Sequence, residues 1–166
     1  MNTFLIILAV ALIVWIAGTL LVVRSIEEPK YTLIEKREGY EIREYAGYIV
    51  AEVEVEGSMR EALNAGFRQL AGYIFGGNTS KSSIAMTAPV MDTLSSSGKH
   101  TIAFTMPSKY TLDTLPKPSN ANIRFRVVEK SRRAVLTYTW YATEGGVDAK
   151  KKLLTDGLVR DGYKMK

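Results

Sequence analysis

Residues 58–90 read SMREALNAGFRQLAGYIFGGNTSKSSIAMTAPV. Their order decides the fold: a capped amphipathic helix, a glycine stop, then a strand running into Met86-Thr87-Ala88-Pro89-Val90. Ser58 and Glu61, three residues apart, form a capping box in which each side chain satisfies a backbone N–H that the first helical turn leaves free. Met59, Leu63, Gly66, Leu70 and Ile74 recur at helical spacing, and Gly76-Gly77 supplies a left-handed C-terminal cap. A second line along the same helix reads Arg60, Asn64, Phe67, Ala71 and Phe75. Apolar groups beyond the core-facing stripe leave Phe67 and Phe75 to be explained. Either the buried stripe is wide, or they floor a shallow groove for a flat apolar ligand, with Arg60 or Arg68 near the ligand's carboxylates.

Working outward, Tyr40–Tyr45 and Tyr48–Glu56 alternate as strands, with Ala51, Val53 and Val55 on one face and Glu52, Glu54 and Glu56 on the other. Strands are expected near Ser83–Met91 and His100–Met106, separated by loops at Ser95-Ser96-Ser97-Gly98 and at 116–120. The pattern then restarts. Ile123–Glu129 and Arg133–Tyr141 match the first two strands, and Val147–Tyr163 matches the helix. The order ββα, ββ, ββα predicts an α+β domain with a pseudo-two-fold repeat, a curved antiparallel sheet closing toward a distorted barrel, and one helix per half.

The helix, Tyr73-Ile74-Phe75-Gly76-Gly77-Asn78 and Ile84-Ala85-Met86-Thr87-Ala88-Pro89-Val90 together resemble the SOUL haem-binding family. Glu41-Ile42-Arg43-Glu44-Tyr45 is similar to that family's first core strand. Phe104-Thr105-Met106-Pro107-Ser108-Lys109-Tyr110 with Leu115-Pro116-Lys117-Pro118 is similar to its central strand and loop. The resemblance runs from about Tyr31 to Tyr163. It implies the same architecture, shared with GyrI-like effector-binding domains, and non-covalent binding of haem or a porphyrin along the first helix. Phe67 and Ala71 match apolar contact positions of haem-binding members, whereas Asn64 and Gly72 stand where such members carry basic residues. The resemblance also implies two further strands after the second helix, but this sequence stops at Lys166. A sheet edge left open there is a template for pairing, which points to either a homodimer or an unstable edge.

Phe4–Val23 is an uncharged run of 20 residues, the length a helix needs to cross about 30 Å of hydrocarbon. No Lys or Arg precedes it, and no small-x-small site leads into a polar stretch, which favours a retained anchor over a cleaved signal peptide. The chain therefore divides into an anchor (1–24), a linker (25–30) and the SOUL-like domain (31–166). Arg24, Lys30, Lys36 and Arg37 follow the run and point to a single-pass protein with its domain on the cytoplasmic side.

The net charge of +5 is uneven: from Ile123 onward there are 11 basic and 5 acidic side chains, densest at Lys150-Lys151-Lys152 and Arg132-Arg133. Such a surface is either simply solvated or adheres to the anionic leaflet beside the anchor. No nucleic-acid motif accompanies it. The absence of cysteine excludes disulfides and thiolate ligands.

No HExxH, P-loop, GxGxxG or nucleophile–base constellation occurs, so binding rather than catalysis is expected. His100, the sole histidine, is a candidate axial ligand, although a histidine opening a strand after a Ser/Gly loop ordinarily faces solvent. Met86, Met91 and Met106 read as core filler and Pro89 as a strand-end shaper. Asn78-Thr79-Ser80 fits a glycosylation acceptor. Three functions remain: a membrane-anchored haem or tetrapyrrole binder, a GyrI-like sensor of another amphipathic small molecule, and a non-catalytic membrane-associated interaction protein.

Overall fold

A computed structural model of the chain describes residues 6–13, 15–16 and 26–164. Seven strands and two helices follow residue 26: β1 (Tyr31–Arg37), β2 (Tyr40–Tyr45), β3 (Tyr48–Val55), α1 (Met59–Ile74), β4 (Val90–Leu94), β5 (His100–Thr105), β6 (Arg124–Val128), β7 (Ser131–Val135) and α2 (Glu144–Arg160). Residues 6–13 and 15–16 are also helical. Among the described residues no helix is long and apolar enough to cross a membrane. Half of the Phe4–Val23 run lies outside the described residues.

The α+β class holds, but the single curved sheet does not. There are two antiparallel sheets, ordered β1-β2-β7 and β4-β5-β3-β6, and neither closes. The cause lies at two connections. Between β2 and β3 the chain changes sheet at Ala46-Gly47, and between β6 and β7 it changes back at Glu129-Lys130. These crossings pass against each other: a Cβ on Gly47 would stand 3.4 Å from the Val128 carbonyl oxygen.

The repeat survives this division. Exchanging β2-β3-α1 with β6-β7-α2 turns the β2·β7 pairing into β6·β3, and both pairings exist. Each helix covers one sheet. Leu70, Tyr73 and Ile74 of α1 pack with Val53, Ile102 and Phe104 in the larger core, while Leu158 of α2 packs on Tyr40 and Ile42. Burying an aliphatic side chain of this size contributes roughly 1.5–3 kcal/mol. The face that α1 buries is Ala62, Gly66, Leu70, Tyr73 and Ile74. Met59 and Leu63, expected in that stripe, are only half-buried.

Three expected boundaries move. The Ser83–Met91 strand is irregular backbone with isolated bridges at Ser83 and Thr87, and regular pairing starts at Val90, after a proline with no N–H to donate. There the Thr87 hydroxyl donates to the Thr105 carbonyl at 2.5 Å, tying the segment to the end of β5. The expected strand Arg133–Tyr141 ends at Val135, because its partner Glu41 is nearly the first residue of β2. The second helix starts at Glu144, capped by the Thr143 hydroxyl, which accepts from the Gly146 N–H at 3.2 Å.

Candidate functional site

The candidate site is built on α1 and the sheet edge beside it. At its N-terminus, Glu61 accepts from the Ser58 N–H at 3.0 Å and from the Ser58 hydroxyl at 2.7 Å. These bonds hold the Glu61 carboxyl below the usual carboxylate range. The Met59 N–H donates to Glu144 of α2 at 2.8 Å, so both helix starts are joined. At the far end Gly76 takes φ +105°, and the Gly77 N–H closes on the Gly72 carbonyl at 2.8 Å. In the middle, a Cβ on Gly66 would meet Ile102 at 2.5 Å, so only glycine lets α1 settle this low on β5.

That close approach leaves one flank of the helix facing outward. Arg60, Asn64, Phe67 and Phe75 are exposed and Ala71 is half-buried, so the line read from spacing does form one side of α1. Phe67 is 40% and Phe75 64% exposed. Phe67 sets its ring edge-on against Phe104 of β5, centroids 5.3 Å apart. Arg68, also exposed, donates to the Asn64 carbonyl at 3.4 Å.

Register extends this flank onto the sheet. Val90 pairs with Phe104, Asp92 with Ile102 and Leu94 with His100; directly paired side chains share a face. Val90, Asp92 and Leu94 therefore stand on the helix-bearing face of β4, the edge strand, beside α1. Val90 and Leu94 are exposed. At about 3.3 Å per residue the strip from Val90 to Leu94 runs about 13 Å. Phe67, Val90 and Leu94 are thus exposed apolar groups along one open face, a shelf interrupted by Asp92 between Val90 and Leu94. Helical spacing alone marks the outward line on α1, whereas the β4 side chains join this face only through strand pairing, which spacing does not show.

His100 departs from expectation. It opens β5 as read, yet it is buried, 6% exposed, with Nδ1 2.8 Å from an Asp92 carboxylate oxygen. The pair cross-links β4 to β5 under the shelf. Among the described residues no group of three or more His, Asp or Glu side chains is placed to hold a metal ion. Met106 is buried core, Met91 is half-buried and Met86 is exposed. Asn78 is also buried, at 2% exposure: its amide nitrogen donates to the Tyr73 and Ser82 carbonyls at 3.0 and 2.8 Å. A glycan on that nitrogen is incompatible with the fold, which corrects the acceptor reading.

Two cavities lie elsewhere, and neither is lined by α1. One, of about 470 Å³, is walled by Ile49, Met106, Tyr110 and Leu112 beside residues 27–30. The other, of about 340 Å³, is walled by Tyr31, Arg43, Tyr45, Tyr48 and Arg133.

The family model described as SOUL heme-binding protein matches residues 26–166, nearly the whole chain outside the apolar run. The chain belongs to the SOUL haem-binding family. No curated protein matches it. Within this SOUL domain the motif residues around Asn78 and Thr87 are architectural. They fix the loop after α1 and the entry to β4, and so set where the shelf lies.

Proposed function

We propose that this SOUL domain binds haem or a related tetrapyrrole non-covalently, without catalysis, on the shelf formed by α1 and β4. The observation that carries the reading is the outward Phe67, seated edge-on against Phe104, whose cross-strand partner is the exposed Val90. A flat apolar macrocycle covers such a strip better than a compact ligand, and its carboxylates fall within reach of cations on the same helix, Arg60 and Arg68. The fit to a tetrapyrrole is through apolar contact and charge. Asp92 engages His100 Nδ1 and the ring is buried, so His100 is assigned to holding β4 on β5 rather than to the iron.

The apolar run Phe4–Val23 serves in this reading as a single-pass anchor, with the following cations holding the domain on the cytoplasmic side. Lys150, Lys151 and Lys152 lie on α2, exposed or half-buried, where the leaflet can be reached.

The test is an absorbance titration of the purified chain with haemin and with iron-free protoporphyrin. Saturable one-to-one binding of both, weakened at least tenfold by Phe67→Ala and unchanged in stoichiometry by His100→Ala, is expected. Failure of a folded wild-type chain to bind either compound overturns the proposal.

A further inference from the structure

The 340 Å³ cavity lies where the helix-free faces of the two sheets meet, on the side of the molecule away from α1. Arg43 and Arg133 are direct cross-strand partners in the β2·β7 ladder, so their guanidiniums project from one face side by side. Like charges in such positions repel. Only one of them is neutralised. Arg43 pairs with Glu41 at 2.8 Å, whereas Arg133 makes no ion pair among the described residues. Its bonds go to neutral oxygens, Ser131 Oγ at 3.2 Å and the Tyr48 hydroxyl at 2.8 Å. The Tyr48 bond crosses from one sheet to the other.

Both guanidiniums are half-buried and framed by rings. Arg43 lies 4.4 Å from the Tyr31 centroid, and Arg133 lies 5.4 and 5.7 Å from those of Tyr45 and Tyr48. Pro89 and Met91 close the wall from the β4 side. Glu28, at the rim, is exposed. A concave site with two forked donors and an aromatic lining, its two guanidiniums offset by Glu41 on Arg43 and by the Glu28 carboxylate at the rim, suits a particular ligand shape. The ligand needs an oxyanion to bridge the two forks and a flat apolar body to lie against the tyrosines.

We infer that this cavity is a second binding site, for an organic oxyanion: an aromatic carboxylate or phosphate monoester held by Arg133 and Arg43. The ligand replaces cross-strand repulsion with paired attraction, and so draws β7 and β3 together through Arg133 and Tyr48. The site is independent of the tetrapyrrole reading. It shares no residue with the shelf, and tetrapyrrole binding can fail without affecting it.

The experiment is calorimetric titration of the full chain with phenyl phosphate, benzoate and inorganic phosphate, alongside thermal unfolding with each. The variants are Arg133→Gln, Arg43→Gln and Arg132→Gln, the last being a neighbour paired with Glu44 on the opposite face. Phenyl phosphate or benzoate is expected to bind saturably and to raise the melting temperature of the wild type. Arg133→Gln and Arg43→Gln each weaken binding at least tenfold, Arg132→Gln leaves it within twofold, and haemin titrations are the same in all four proteins. Should Arg133→Gln unfold, Arg133→Lys replaces it: charge without the fork lowers affinity at least fivefold. Three results overturn the inference. They are no saturable binding of either organic anion, equal loss in Arg132→Gln, and inorganic phosphate binding as tightly as phenyl phosphate.

Discussion

The Tyr40 hydroxyl donates to Asp161 Oδ2 at 2.6 Å, joining the start of β2 to the residue that ends α2 across 121 positions of chain. Arg160 bonds the same carboxylate at 2.9 Å. The first of these contacts pins the second helix to its sheet beside Leu158 and Ile42.

Two pH windows follow from it. Arg160 first, and Tyr40 second, lower the Asp161 carboxyl from 3.8 to about 2. A depressed acid stabilises the fold above its unfolded value and loses that contribution as pH falls through the folded one. The stabilisation is therefore complete above about pH 4 and fades toward pH 2. Burial, with the Asp161 bond added, raises Tyr40 to about 12. That contribution is full below pH 10 and disappears as pH rises toward 12. Thermal unfolding across both windows should show Tyr40→Phe flattening the alkaline loss and shrinking the acid one. An unchanged profile in the variant counts against the contact.

Gly66 is the position where α1 is least tolerant of change. Gly66→Ala places a methyl 2.5 Å from Ile102 Cγ1 and 2.6 Å from its Cβ, both near the backbone of β5 and unable to swing away. Overpacking of this kind costs about 1–3 kcal/mol, against the helix preference for Ala over Gly of about 1 kcal/mol. Net destabilisation is expected in urea titrations, with the Phe67–Phe104 contact disturbed as the helix rises. A stabilised Gly66→Ala would mean that α1 does not sit this close.

Much of this architecture was legible in the chain itself. The capped helix, its glycine stop and the ββα repeat are local signals, carried by residues that satisfy their own neighbours. What was not legible depends on pairing. The division into two sheets arises where Gly47 passes Val128, a contact 81 residues apart that no window of sequence contains. Likewise β7 ends at Val135 although Leu136, Tyr138 and Trp140 keep the alternation, because β2 offers nothing further to pair with. The candidate shelf divides along the same line. Phe67 and Phe75 were readable from helical spacing, while Val90 and Leu94 acquire their role only through the β4·β5 register. His100 looked exposed because Asp92, the partner that accounts for its burial, lies on the neighbouring strand.

The His100–Asp92 pair offers a separate prediction. With Asp92→Asn the side-chain oxygen can still accept from the imidazole but without its charge, so the cost is the difference between a charge-assisted and a neutral bond, about 1 kcal/mol. Stability should fall by that order, and β4 amides should exchange faster than those of β3 in hydrogen-exchange measurements. Porphyrin stoichiometry should stay at one, since the shelf residues remain. Loss of haemin binding with retained protoporphyrin binding would instead make His100 an iron ligand.

Asn78 carries the last prediction. Its side chain is the hub of the loop after α1, donating to the Tyr73 and Ser82 carbonyls and accepting from the Ser82 N–H at 3.2 Å. Asn78→Ala leaves these backbone groups without their partner, at about 1–3 kcal/mol for each buried group left unsatisfied. Asn78→Asp is expected to fall between the two proteins, because it keeps the acceptor for Ser82 and loses both donors. The loop also positions the segment that leads to Thr87, whose hydroxyl holds the end of β5. Asn78→Ala should therefore loosen the entry to β4 as well, detectable as faster exchange at Val90 and Met91, and with it weaken porphyrin binding without touching a shelf residue. If stability drops while exchange at β4 stays at the wild-type rate, the loop supports the helix end alone.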